Sequence, residues 1–223
     1  TKNLRCKCVV IALVAMAIDS TLLAVGLRSF KTVASMIVLA SGSARRRELL
    51  QQVGVDFEVK VFEIDESCIA AETPRDYVHR LAEAKARAAQ LHLPTDCVVI
   101  AADTTVTIGG RILGKPVDQH DAFAMWRQLS GQTHQVLTGV AVACGDRLLS
   151  SVVATSVHML ALTPTQMQAY WDTGEPLGKA GGYAIQGRAA AFIPRIEGSY
   201  SNVVGLPLVE TLKLLQQIQS TID

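Results

Sequence analysis

Cys97-Val-Val-Ile-Ala-Ala102 is an unbroken apolar run. It is too short for a buried helix and lacks the alternation of a half-solvated strand, so it reads as a central strand buried on both faces. Such a strand needs a packed layer on each side, which helices supply. The chain provides them. Ile37–Ala40 reads as a short buried strand and Ser41–Ala44 as a turn. Arg45 to Val53 reads as a helix closed by Gly54, and Phe57–Val61 as a second strand. Thr73-Pro74-Arg75-Asp76 is a helix start, with Thr73 as cap, Pro74 at the first helical position and Asp76 answering from N3. Tyr77, Val78, Leu81, Ala84, Ala88 and Leu91 then recur at helical spacing.

Further along, Gly109-Gly110 reads as a hairpin turn between Val106–Ile108 and Arg111–Leu113, and Asp118 caps a helix to Leu129. Val136–Ala143 and Leu148–Val157 alternate across Gly145-Asp146, which predicts a long antiparallel hairpin. Thr163-Pro164 starts another helix, 178–187 is a Gly-rich loop with a short strand, and a final helix runs from Pro207 to Gln219 with Leu208, Leu212 and Leu215 on one face. The predicted class is α/β: a mixed twisted sheet with flanking helices, in one compact unit with two lobes around a central cleft.

At 49% hydrophobic and 18% charged residues, a chain of 223 residues buries a core without staples and is not a disordered tail. Residues 1–35 carry a net +4 and the remainder −3. A mildly acidic body argues against a nucleic-acid partner, which needs a basic face, but leaves room for a basic pocket around one small anion. The five cysteines are odd in number and fit no zinc spacing, so they read as reduced thiols of a cytoplasmic protein, the last three as small buried residues. The apolar run Cys8–Ile18 after a basic start has a secretory-signal shape and is too short to span a membrane. Against that reading, Met36 opens directly into a strand and everything after it looks intracellular. Residues 1–35 are therefore expected to be an extension outside a single domain of 36–223.

Four features carry chemistry. Ser41-Gly42-Ser43-Ala44-Arg45-Arg46-Arg47 follows a strand and opens a helix, which gathers backbone N–H groups, hydroxyls and guanidiniums at one anion-binding point. Three arginines at a helix N-terminus oppose its dipole unless an anion arrives. They cannot all share one face, so one is expected to be merely exposed. Asp103 follows the apolar strand, where open α/β sheets bind ligands, although alone it reads equally as a turn aspartate. Asp65-Glu66 could hold Mg²⁺ with substrate oxygens, and alone reads as a surface loop. Lys85 lies on a helix, and Lys115 and Lys179 in Gly-rich loops, within a body that otherwise uses arginine. Gly109 to Pro116 matches the phosphate-loop pattern except at its last position, where Pro116 has neither hydroxyl nor N–H, so a P-loop is excluded. The five histidines form no ligand-spaced pair.

Taken in order, Leu39-Ala-Ser-Gly-Ser-Ala-Arg-Arg-Arg-Glu-Leu-Leu50, Ala84-Lys-Ala86, Ala102-Asp-Thr104, Gly114-Lys-Pro116, Leu129-Ser-Gly-Gln-Thr-His134, Lys179-Ala-Gly-Gly-Tyr-Ala-Ile-Gln-Gly187 and Asn202-Val-Val-Gly-Leu-Pro207 resemble the Maf family of nucleoside triphosphate pyrophosphatases. The resemblance covers 36–223. It implies a Maf/ITPase-like fold, cleavage of a nucleoside triphosphate between the α and β phosphates, a divalent cation (Mg²⁺ or Mn²⁺), a cytoplasmic enzyme and a homodimer, with no nucleic-acid or membrane partner. It makes Asp103 the proton acceptor and a candidate metal ligand with Glu66. It places Ser41, Ser43, Arg45, Arg46, Lys85 and Lys115 around the phosphates. Arg45, Thr104 and Gln186 look like the dTTP/UTP branch, and Gln186 offers both a donor and an acceptor to a pyrimidine imide edge. Ala44 stands where the family usually has proline. The alternative function is a nucleotide-sensing regulator of septation without turnover. Glu66 and Asp103 argue for the enzyme, because negative charge beside phosphates serves a pure binder only if a metal is used.

Overall fold

The computed structural model describes residues 36–220. The signal-shaped segment, with Cys6 and Cys8, lies outside them. No helix among the described residues is long and apolar enough to cross a membrane.

The elements in chain order are β1 (Ile37–Leu39), α1 (Ala44–Gln52), β2 (Glu58–Val59), α2 (Pro74–Gln90), β3 (Val98–Ile108), β4 (Arg111–Leu113), α3 (Gln119–Leu129), β5 (Thr133–Cys144), β6 (Arg147–His158), α4 (Pro164–Trp171), β7 (Arg195–Glu197), α5 (Tyr200–Val204) and α6 (Leu208–Gln219). The strands form one mixed sheet ordered β2-β1-β3-β5-β6-β7, with β4 paired to β3. β1 runs parallel to both β2 and β3, and the other pairs are antiparallel.

The caps follow the side chains that the sequence supplies. Thr73, Asp118 and Thr163 each accept a backbone N–H three residues on. Asp76 takes the Thr73 hydroxyl at 2.6 Å, and Gln166 completes the reciprocal box at α4. The β5–β6 hairpin is in the expected register across Gly145-Asp146, with Cys144 opposite Arg147.

Five expectations need correction. The second strand shrinks to two residues, Glu58–Val59. The Gly-rich loop holds no strand, because Gly181 and Gly182 both have φ of +65°, which breaks a ladder; the short strand lies later, at Arg195–Glu197. On α6 the buried stripe is Thr211, Leu214, Leu215 and Ile218, so Leu208 and Leu212 flank it. Cys68 is exposed, while Cys97 and Cys144 are buried thiols.

The largest correction concerns β3. The apolar run does not end at Ala102. The β-branched residues Thr104 to Thr107 carry the strand on to Ile108, so Asp103 is in mid-strand and not past a strand end. β5 pairs with β3 along 99–107. The other edge of β3 takes β1 at 98–100 and β4 at 106–108. Between them, among the described residues, 101–105 face no strand on that edge, and a cleft opens there.

Two cores flank this gap. One is alanine-rich, built from Ala82, Ala86 and Ala89 of α2 against Ala101, Ala141 and Ala143. The other is aromatic, centred on Trp126 and Tyr170 with Met125, Met167 and Tyr183.

The small side chains let α2 lie close on the sheet. Asp103 pairs across the ladder with Gly139, and a Cβ at Gly139 would overlap the Val78 carbonyl of α2. Gly139→Ala is therefore expected to destabilise the fold by roughly 3 kcal/mol, as overpacking does, lowering Tm by about 6–12 °C. A melt that superimposes on the wild type would show that α2 does not rest on this backbone.

Candidate functional site

The cleft has a volume of about 510 Å³. Ser41, Ser43, Arg45, Arg46, Glu66, Lys85, Asp103, Thr104, Lys115 and Gln186 all line it. Residues up to 145 positions apart in the chain thus meet at the gap beside β3.

The Ser-Arg segment folds as its residue types dictate. Ser43 caps α1, its hydroxyl accepting the Arg46 N–H. The Ser41 hydroxyl accepts the Ser43 N–H at 3.3 Å and Arg46 Nη1 at 3.0 Å. The helix turn separates the three arginines. Arg47 is exposed, as one of them had to be, while Arg45 and Arg46 turn inward. Burial lowers the pKa of both guanidiniums, and the Asp103 charge works against this at Arg46. Arg45 Nε is buried without a partner. An arginine stays charged despite such a shift, so both remain cations.

The Lys85 ammonium bridges two carboxylates, 2.7 Å from Asp103 Oδ1 and 2.7 Å from Glu66 Oε1. Asp103 and Lys85 are largely shielded, and Glu66 is about half exposed. Burial alone would raise the Glu66 pKa. The bond to Lys85 and the charges of Lys85, Lys115 and Arg46 outweigh it and hold the carboxyl below its usual range. Tyr77 donates its hydroxyl to the Glu66 carbonyl at 3.0 Å, fixing the loop that carries the acid. Burial first, then the charge of Asp103, pushes the Tyr77 phenol up to about 12.

Asp65 does not join. Its carboxylate accepts the Ser67 N–H in an exposed turn, so the sequential acidic pair splits into one site residue and one turn residue.

The Gly-rich loop is pinned at several points. The Trp126 indole N–H is within 3.2 Å of the Gly181 and Gly182 carbonyls, and Gly181 N–H donates to the Gly114 carbonyl at 2.9 Å, beside Lys115. The Glu175 carboxylate accepts the Tyr170 hydroxyl and the Arg188 N–H. A Cβ at Gly187 would overlap the Glu175 carboxylate and displace it from these bonds. The exposed Gln186 is thereby carried on a rigid loop.

Sequence reasoning did not select Phe62 or Tyr183 and singled out Lys179 without giving it a role, yet all three line the same cleft. Lys179 donates to the Glu175 carbonyl at 2.6 Å, and burial followed by the charge of Arg45 lowers its pKa. Its place in a Gly-rich loop was the available signal. The cleft thus holds five cationic side chains (Arg45, Arg46, Lys85, Lys115 and Lys179) against two carboxylates. That surplus favours a polyanion.

Among the described residues no cluster of three or more His, Cys, Asp or Glu could hold a metal by itself. Glu66 and Asp103 each turn one oxygen to the Lys85 ammonium, which leaves the second oxygen of each carboxylate as a donor. Mg²⁺ is commonly bound by one or two carboxylates completed by phosphate oxygens and water, and this donor set fits that mode.

Residues 36–218 match the family described as Maf-like protein. The chain is 52% identical over 182 residues to the dTTP/UTP pyrophosphatase of Acinetobacter baylyi, covering 82% of this chain and 99% of that one. It is 50% identical over 181 residues to the dTTP/UTP pyrophosphatase of Symbiobacterium thermophilum, covering 81% and 93%. Among solved structures, the Ham1 protein of Staphylococcus aureus is a distant likeness, with a TM-score of 0.44 at 14% identity over 85% of this chain and all of that one.

The loop's hold on the sheet is pH-sensitive. His134 Nε2 is 2.6 Å from the Tyr183 hydroxyl, and both side chains are buried. Burial drives the His134 pKa from 6.5 to about 4. The folded state thus refuses a proton that the unfolded chain accepts. The stability conferred by the neutral ring is complete above about pH 6.5 and is lost as pH falls from there through about 4. Urea midpoints at pH 7 and pH 5 should differ clearly in the wild type and much less in His134→Gln. Equal differences in the two proteins would remove His134 as the cause.

Proposed function

The chain belongs to the Maf family, and from that premise we propose that it hydrolyses dTTP and UTP to the nucleoside monophosphate and pyrophosphate. The observation that carries the proposal is the Lys85 ammonium held between Asp103 and Glu66 in a cation-rich cleft closed by a Ser-capped helix start. The naming of relatives at about half identity supports the substrate class.

The reaction requires little covalent chemistry from the protein and much positioning. The polyanion enters beside Ser41, Ser43 and the start of α1. Arg45, Arg46 and Lys115 bind its phosphate oxygens and balance the charge that builds on the leaving group. Lys85 fixes Asp103 through Oδ1, and the other carboxylate oxygen takes the proton of the attacking water. The new P–O bond forms at the α-phosphorus and the α–β anhydride bond breaks. Pyrophosphate leaves with the bonding electron pair. Glu66 would hold a divalent cation, with Asp103 joining it only through the oxygen that Lys85 now engages; the cation would supply charge neutralisation at the phosphates. Gln186 reads the base: its amide N–H donates to a uracil carbonyl, and its oxygen accepts the imide N–H. Thr104 completes the substrate surface. The reading includes a domain of 36–223, a homodimer and action in the cytoplasm, where nucleoside triphosphates are made and used.

Two outcomes test it. With the full chain, Mg²⁺ and UTP, product analysis should give UMP and pyrophosphate; orthophosphate release would mean β–γ cleavage and a wrong mechanism. Asp103→Asn should keep the melting profile and lose roughly 10²–10⁴-fold in kcat, the range for removal of a general base. Separately, Gln186→Glu replaces a donor with an acceptor facing a carbonyl. The ratio of kcat/KM for UTP over CTP should fall about tenfold, equivalent to one lost hydrogen bond, and an unchanged ratio would move base reading elsewhere.

A further inference from the structure

We infer that Thr138, a residue that does not line the cleft, positions the Arg46 guanidinium for the reaction through the hydroxyl of Thr104. The inference rests on the pyrophosphatase reading for its kinetic consequence and on geometry alone for the positioning.

Arg46 has five N–H donors in a rigid fork. Nε donates to the Gly205 carbonyl at 2.8 Å, Nη1 to the Ser41 hydroxyl at 3.0 Å and Nη2 to the Thr104 hydroxyl at 3.1 Å. Two N–H groups remain for substrate oxygens. Among the described residues no carboxylate is in ion-pair contact with Arg46, so neutral oxygens fix its orientation.

Thr104 Oγ1 is 3.0 Å from Thr138 Oγ1, and Thr138 Oγ1 is 3.1 Å from the Asn202 carbonyl. The direction of this chain is set at both ends. A guanidinium only donates and a carbonyl only accepts, and each hydroxyl between them owns one proton. Arg46 therefore donates to Thr104, Thr104 to Thr138, and Thr138 to Asn202. The Gly205 carbonyl, 3.3 Å from Thr104 Oγ1, is a longer competitor for the same proton. Hydrogen bonds aligned head to tail polarise one another.

Both ends of the arrangement return to the segment 202–205. That segment is anchored in turn, because Asn202 Nδ2 donates to the Val136 carbonyl at 3.0 Å and to Thr155 Oγ1 at 2.9 Å. Thr138 and Asn202 are completely buried and Thr155 nearly so. Arg46 is thus referenced to the centre of the sheet rather than to its own helix. One corollary concerns Thr104. Its single proton is engaged, so it has none to give a pyrimidine, and its effect on the nucleotide runs through Arg46.

The test uses the full chain with Thr138→Val, Thr138→Ser and Thr104→Val. Removing the hydroxyl while keeping the shape should lower kcat for UTP roughly ten- to a hundredfold, the scale of a group slightly misplaced, with a smaller change in KM. Thr138→Ser should recover most of the rate. The UTP-to-CTP preference should be unchanged in all three. The Thr138→Val and Thr104→Val losses should fail to add in the double variant, as for members of one network. Phenylglyoxal modification of Arg46, located by peptide mass spectrometry, should speed up in the Val variants and not in Thr138→Ser. Should Thr138→Val fail to fold, Thr104→Val carries the same comparison. An active wild type with a lower melting temperature but normal kcat and normal Arg46 reactivity in the Val variants would overturn the inference, as would an altered base preference. A wild type that releases no UMP defeats the pyrophosphatase reading instead, and Arg46 reactivity then decides alone whether the hydroxyl chain holds it.

Discussion

The approach of α2 to the sheet at Gly139 sets the geometry of everything catalytic in this fold. Gly139 is the cross-strand partner of Asp103, and it leaves room for the Val78 carbonyl where any side chain would collide. The helix continues with Ala82, Ala86 and Ala89 against alanines of β3 and β5. Seven residues beyond Val78, two helical turns along the same face, stands Lys85. Only with the helix this low can its ammonium reach Asp103 while also meeting Glu66.

A second constraint is electrostatic. Five cations and two carboxylates share a cleft of about 510 Å³, and both guanidiniums are desolvated by burial. The protein limits the repulsion in different ways. Lys85 is neutralised by the two acids, and Lys179 donates to backbone carbonyls. Arg46 is tied to hydroxyls and a carbonyl, all neutral acceptors. An arriving polyanion would supply the missing negative charge. The site is therefore preorganised for its ligand rather than for its own stability, as transition-state stabilisation by fixed charges requires.

The period of two along β3 divides labour between the faces of the sheet. Asp103 points toward α2 and its lysine, while Thr104 points toward the segment 202–205 and Arg46. One strand thus delivers the acid and the guanidinium's support to the same opening from opposite sides. The absence of a neighbouring strand along 101–105 on one edge of β3, among the described residues, is what makes both faces accessible at one point.

Much of this was legible in the sequence. The apolar run 97–102, the caps Thr73, Asp118 and Thr163, and the Gly145-Asp146 turn dictate their elements through local chemistry, because caps and turns act within three or four residues. The cluster at 41–47 stands out by opposing its own helix dipole, and Ser41, Ser43, Arg45 and Arg46 of it line the cleft while Arg47 does not. What the sequence could not decide were matters settled by contacts distant along the chain. Asp65 and Glu66 are equivalent as neighbours, and only Lys85 and Tyr77 separate their roles. Thr138 carries no motif, and its part exists only because β5 brings it between Thr104 and Asn202. Sequence fixes which groups are available and how each bends its own backbone. The tertiary structure chooses among equivalent groups, because a carboxylate or hydroxyl acquires its role from the partner a few ångströms away.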